Sequence, residues 1–128
     1  MSRLINGIHH VSLDATSNEE LEKTINFYQN ILELEIRCQW DGGIMFDTGS
    51  GIIEVFLKEE EQLPKGVIRH FALATDDVAE CAKTVKQAGY EVFIEPQDVE
   101  IPANPPFPLT CAFCYGPLGE EIEFFKER

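Results

Sequence analysis

Cations are scarce in this sequence: ten Lys and Arg stand against twenty-three Asp and Glu, for a formal charge of −13. A nucleic-acid backbone or an anionic membrane would be repelled over most of such a surface, so the expected partner is a small molecule. Long apolar runs are missing too. No stretch approaches the roughly 20 residues that cross a bilayer. The segment Met1-Ser2-Arg3-Leu4-Ile5-Asn6 turns polar before a signal-peptide core can form, which makes the cytoplasm the expected location. No second C-x-x-C accompanies Cys111 and Cys114, and in the extended stretch 109–115 residues three apart point to opposite faces. The cysteines are therefore read as small buried apolar residues rather than as a zinc or redox pair.

What is present is enough for one domain spanning residues 1–128, because 44 % of the chain is apolar and only 26 % charged, the balance of a folded soluble protein. The chain also repeats itself. His10-Val11-Ser12-Leu13-Asp14-Ala15 returns as His70-Phe71-Ala72-Leu73-Ala74-Thr75. Each copy is followed by a helix-start signal, Ser17-x-x-Glu20 in the first and Asp77-x-x-Glu80 in the second. Apolar residues then step by four and three, at Leu21, Ile25, Tyr28 and Leu32 and at Val78, Ala82 and Val85, which is one face of a helix. Gly89 is placed to end the second helix, while the first runs on without a glycine.

Beyond each helix the period shortens toward two. Strands are predicted near 34–40, 43–48 and 51–57, and again near 90–95, 109–115 and 120–126. Each unit reads β-α-β-β-β, with module one at about 6–58, an acidic linker at 59–66 and module two at about 67–126. Pro96, Pro102, Pro105, Pro106 and Pro108 predict a loop insertion over 96–108, a candidate lid.

Two carboxylates sit where apolar residues belong, in Ile52-Ile53-Glu54-Val55-Phe56-Leu57 and in Glu121-Ile122-Glu123-Phe124-Phe125. Burying an unpaired carboxylate costs several kcal/mol, so each needs a partner. Alternation puts Glu54 opposite in face to Ile53 and Val55, and Glu123 opposite to Ile122 and Phe124. By the same rule His10 faces away from Val11 and Leu13, and His70 away from Phe71 and Leu73. Each sheet thus has one face for a helix and another carrying one His and one Glu. Facing inward, two such sheets present two imidazoles and two carboxylates, a set that suits nickel, cobalt, zinc, manganese or ferrous iron. The repeat selects His10 over His9, which is expected on the helix side.

Three segments resemble the vicinal oxygen chelate superfamily: Ile8-His9-His10-Val11-Ser12-Leu13, the helix end Phe27-Tyr28-Gln29-Asn30-Ile31-Leu32-Glu33-Leu34, and Gly116-Pro117-Leu118-Gly119-Glu120-Glu121-Ile122-Glu123-Phe124. The last is similar to that family's D-P-D-G-N-x-I-E-L, with Gly116 and Leu118 in place of two acids. The resemblance implies an α+β fold, two βαβββ modules forming a cupped, barrel-like mixed sheet with helices outside, and a homodimer. Carried over by position, it implies that His10, Glu54, His70 and Glu123 hold one divalent metal ion, nickel, cobalt or zinc ahead of manganese or iron. Their order is similar to glyoxalase I, a lyase or isomerase that transfers a proton next to a metal-bound carbonyl. Glu123 is then the implied base, with Glu54 nearly equivalent by symmetry. No obvious cationic cluster is available to hold the carboxylates of glutathione. Trp40, Phe46, Phe56, Phe107, Tyr115 and Phe125 are candidates for an apolar pocket. The alternatives are a non-catalytic binding or resistance protein, or a ring-cleaving dioxygenase or epimerase of the same superfamily.

Overall fold

The computed structural model describes residues 8–58 and 70–128; the predicted linker 59–66 lies outside them. The first module consists of β1 (His10–Ala15), α1 (Asn18–Ile25) continued by a π-helical turn (Asn26–Ile31), β2 (Glu35–Trp40), β3 (Gly43–Asp47) and β4 (Ile52–Leu57). The second consists of β5 (Phe71–Ala74), α2 (Val78–Gln87), β6 (Val92–Ile101), β7 (Phe107–Tyr115) and β8 (Glu121–Glu127). Each module folds into its own four-stranded mixed sheet, in the orders β1-β4-β3-β2 and β5-β8-β7-β6. In both, the first strand pairs in parallel with the last, and the other pairings are antiparallel. The class is α+β, built from two βαβββ modules. The described strands make two sheets rather than a closed barrel.

The helix starts follow their sequence signals. The Ser17 hydroxyl accepts from the Glu20 amide at 3.1 Å, and the Glu20 carboxylate reaches back to the Thr16 amide at 2.7 Å, one residue earlier than a simple capping box. Asp77 accepts from the Glu80 amide at 3.0 Å. Gly89 leaves α2 with φ +94°, whereas in the first module the left-handed position falls to Glu33 at φ 62°.

The predicted loop 96–108 is a correction. β6 runs through Pro96 to Ile101 and β7 starts at Phe107, so most of the segment is a long hairpin whose tip is 102–106. Proline is tolerated because β6 is an edge strand and its register slips between Ile94 and Gln97, where Pro96 has no ladder amide to supply.

One buried cluster is drawn from both modules. Ile44, Phe46, Ile53 and Val55 of the first sheet pack beneath Phe27 and Tyr28, and Ala112, Cys114, Ile122 and Phe124 of the second join Val78, Ala82 and Val85 of α2 in the same cluster. Phe46, a candidate pocket residue in the sequence, belongs to this core and is fully buried. Cys114 lies there too, its thiol pushed up to about 12 by burial and then by the nearby Glu120 charge, so it is an inert core residue.

The seam between modules is aromatic and carries a polar contact. The Phe27 ring lies 4.6 Å from that of Tyr90, and the Tyr28 hydroxyl donates to Glu120 at 2.8 Å. The other Glu120 oxygen accepts from the Leu118 amide at 2.7 Å. A Cβ on Gly116 would stand 2.4 Å from the Glu120 carboxyl carbon, so the closing turn requires glycine where the resembled segment has an acid. Burial raises the Glu120 carboxyl above its ordinary value, and the hydrogen bonds from Tyr28 and the backbone, which pull the other way, do not offset it. A carboxyl raised in the folded state binds more protons folded than unfolded between the ordinary value of 4.5 and its raised one. This group's contribution is therefore full below that window and lost as pH rises through it. Urea unfolding of wild type and Glu120→Gln from pH 4 upward should show the wild type losing stability relative to the variant as pH rises; a pH-independent difference would contradict this assignment.

Candidate functional site

Each sheet presents one face to its helix and leaves the other open, and the open faces carry the polar residues singled out in the sequence. Register places Ser12 beside Glu54 on β1 and β4, with Met45 on Glu54's other side. His10 is one pleat away on the same face, and its Nε2 lies 3.6 Å from Glu54 Oε1. That same oxygen accepts from the Ser12 hydroxyl at 2.8 Å. Glu54 is only 6 % exposed, so Ser12 and His10 are the partners that a buried carboxylate demands.

The second sheet repeats the arrangement. His70 precedes β5, and its Nε2 lies 3.1 Å from Glu123 Oε1, with Glu123 8 % exposed. The Phe113 ring meets His70 edge-on, 5.2 Å between centroids. The position of Ser12 is taken by Ala72 in the second sheet, and the neighbour of Glu123 is instead Cys111 on β7, whose thiol is pushed up by burial and then by the Glu123 carboxylate beside it. The two cysteines of the C-x-x-C pair face opposite ways, as strand alternation predicts, and the register with β8 decides which of them meets Glu123. Cys111 lies on the open face, Cys114 beneath the helix.

His9 is exposed, not packed on the helix side. Its Nδ1 lies 2.9 Å from His10 Nδ1, so one ring must donate and the other accept. A donating His10 Nδ1 would leave Nε2, the nitrogen that faces Glu54, as the free lone pair.

The structure therefore brings His10 to Glu54 and His70 to Glu123. Among the described residues no three His, Cys, Asp or Glu side chains converge on one point that would hold a metal ion. Each pair is nonetheless shaped like half of a coordination shell. Donor atoms about 2.1 Å from a metal at right or tetrahedral angles lie roughly 3.0–3.4 Å apart, close to the 3.1 and 3.6 Å seen here. The donor chemistry, one imidazole and one carboxylate in each half, fits a borderline divalent ion once two halves meet.

The sequence profile of the glyoxalase/bleomycin resistance protein/dioxygenase superfamily matches residues 7–124. The chain belongs to this superfamily. Among solved structures, a glyoxalase family protein from Enterococcus faecalis is similar at 19 % identity with a TM-score of 0.73, over 97 % of this chain and 100 % of that one. A glyoxalase/bleomycin resistance protein/dioxygenase from Alicyclobacillus acidocaldarius is similar at 18 % identity with a TM-score of 0.69, over 94 % and 90 %. At these identities the likeness establishes the fold alone. No curated protein matches the chain. The superfamily includes many enzymes, and its members commonly bind a divalent metal and small molecules and often dimerise. Among the described residues no helix is long and apolar enough to cross a membrane.

Proposed function

We propose that this superfamily member is a divalent-metal-dependent lyase or isomerase of the glyoxalase I kind, acting on a small molecule in the cytoplasm as a homodimer. The observation that carries the reading is the matched pair of half-sites, His10–Glu54 and His70–Glu123, at equivalent places in two modules whose open faces do not gather all four side chains within one chain. In the homodimer, His10 and Glu54 of one protomer meet His70 and Glu123 of the partner subunit, and the four hold one nickel, cobalt or zinc ion.

A metal bound there supplies Lewis acidity to a carbonyl oxygen, which makes the neighbouring carbon-bound proton removable. The residues of the chain do the rest. His10 and His70 are the imidazole donors. Glu54 is held in place by the Ser12 hydroxyl at 2.8 Å and serves as the fixed carboxylate. Glu123 has, besides His70, only the Cys111 thiol, a weaker donor than the Ser12 hydroxyl, and is the freer of the two to take the proton from one carbon and return it to the next. Phe113, edge-on to His70, walls one side of that transfer.

Two double variants test the assembly, His10→Ala/Glu54→Ala and His70→Ala/Glu123→Ala. Each alone should lose bound nickel. Refolded together they pair at random, half the dimers are mixed, and one site in each mixed dimer is complete, so about a quarter of the wild-type metal should return. No recovery on mixing would place the site within one chain, and undiminished metal in either variant would remove these residues from it. Deuterium appearing at carbon in α-hydroxycarbonyl compounds and hemithioacetals in heavy water reads the proton transfer. Metal retention with no exchange in either class would leave a binding protein.

A further inference from the structure

Beside the first half-site the sheet carries a flat surface built for a ring. The row containing Glu54 runs Ser12, Glu54, Met45, Cys38 across the four strands. The next row on the same face runs Asp14, Phe56, Gly43, Trp40. Glycine between two aromatic residues leaves a bare strip of backbone, and the Trp40 indole lies over it. A Cβ on Gly43 would stand 2.8 Å from Trp40 Cζ2 and 2.5 Å from the Val55 carbonyl oxygen. Gly42 is similarly close, its Cβ position 3.2 Å from the indole Nε1. Phe56 braces the indole edge-on at 6.0 Å. The indole is thus seated on the sheet and still 38 % exposed. Two residues of strand separate Phe56 from Glu54, about 6.6 Å, which is the reach of one aromatic ring with an attached carbonyl.

Charge narrows what can lie there. Both rows contain a carboxylate, and neither contains a lysine or arginine. The Lys58 ammonium that approaches from the end of β4 lies over the Phe56 ring, 5.8 Å from its centroid. The second half-site has the same character: Phe113 stands against His70, and Phe93 stacks on Tyr115 at 4.3 Å. A peptide thiol with free carboxylates, or a nucleotide-bearing thioester, would meet two carboxylates and several ring faces, which repel anions, against the single Lys58 ammonium already engaged over Phe56.

We propose that the site takes an uncharged aromatic carbonyl compound, its ring on the Trp40 indole and its paired oxygens turned toward Glu54. This names the substrate class for the metal-dependent reading above and rests on it.

Three probes isolate the ring and the charge: 2-hydroxyacetophenone, hydroxyacetone, which has the same oxygens without the ring, and benzoylformate, which has the ring with a negative charge. Calorimetric titration of the dimer, with nickel and without, should find 2-hydroxyacetophenone at least about tenfold tighter than hydroxyacetone in both forms. Benzoylformate should bind the metal-free form more weakly than 2-hydroxyacetophenone. Trp40→Leu should remove the ring's advantage. Gly42→Ala, whose Cβ would press only on the indole, 3.2 Å from Nε1, keeps that ring but displaces it and should reduce the advantage. Trp40 is the only tryptophan, so its emission reports the contact directly. Equal affinity for the two neutral probes, as when a second copy covers the indole, would overturn the proposal, as would tighter binding of benzoylformate to the metal-free form. The metal-free titration keeps this result separate from the metal reading: a ring preference without any nickel binding would refute the enzyme and leave the ring surface standing.

Discussion

Phe27→Ala is expected to lower the free energy of unfolding by about 3–5 kcal/mol, a large share of the roughly 5–15 kcal/mol that holds a domain together. Phe27 is fully buried and touches both modules, through Tyr28 at 5.0 Å in its own and Tyr90 at 4.6 Å in the other. Truncation leaves a cavity at the seam, where neither sheet can move in to fill it without giving up its own helix packing. Urea unfolding read by circular dichroism and by Trp40 emission should show a shifted midpoint, with the two signals still coinciding because the core is shared. Separate transitions would mean that the modules are independent units. Phe107→Ala, at a 37 % exposed site, is the matched control and should cost far less.

Glu123→Ala should weaken nickel binding by more than the roughly 10–100-fold lost when a group that merely supports a ligand is removed. The same change should leave the metal-free protein no less stable. Glu123 is almost buried, and its partner His70 is 38 % exposed in its side chain, so water can replace the lost contact on the histidine side. Removing the carboxylate also removes the cost of holding its charge out of water. Thermal unfolding with and without nickel separates the two effects. A variant that lost stability without metal and bound nickel normally would make Glu123 a structural residue. Ser12→Ala acts one step further out, on Glu54, and should give the smaller loss.

Much of this architecture could be read from periodicity. The repeated His-x-x-Leu strand starts, the four-and-three stepping of Leu21, Ile25 and Tyr28, and the alternation around Glu54 and Glu123 are local patterns, and local patterns survive folding unless a tertiary contact overrides them. The errors have tertiary causes. Proline at 96 argues against a strand only if every amide must bond inward, and the outer edge of β6 with its slipped register removes that demand. Phe46 was a pocket candidate only by being aromatic, and the face it shares with Ile44 is the one the helix covers. The Tyr28–Glu120 contact spans 92 residues and left no trace in either segment taken alone. The candidate site was legible as two pairs, because each pair lies on neighbouring strands of one sheet. How the pairs combine depends on which faces meet, which is not encoded in strand alternation.

The strand made last in each module is the one at its middle. β4 lies between β1 and β3, and β8 between β5 and β7. During synthesis β1 must wait without a strand partner until Ile52 arrives 42 residues later to pair with His10, and Phe71 waits 51 residues for Ile122. Neither sheet can grow strand by strand in the order of translation. Each closes in a single late step governed by loop-closure entropy, so refolding should be slower than in helical domains of equal size, where contacts are local.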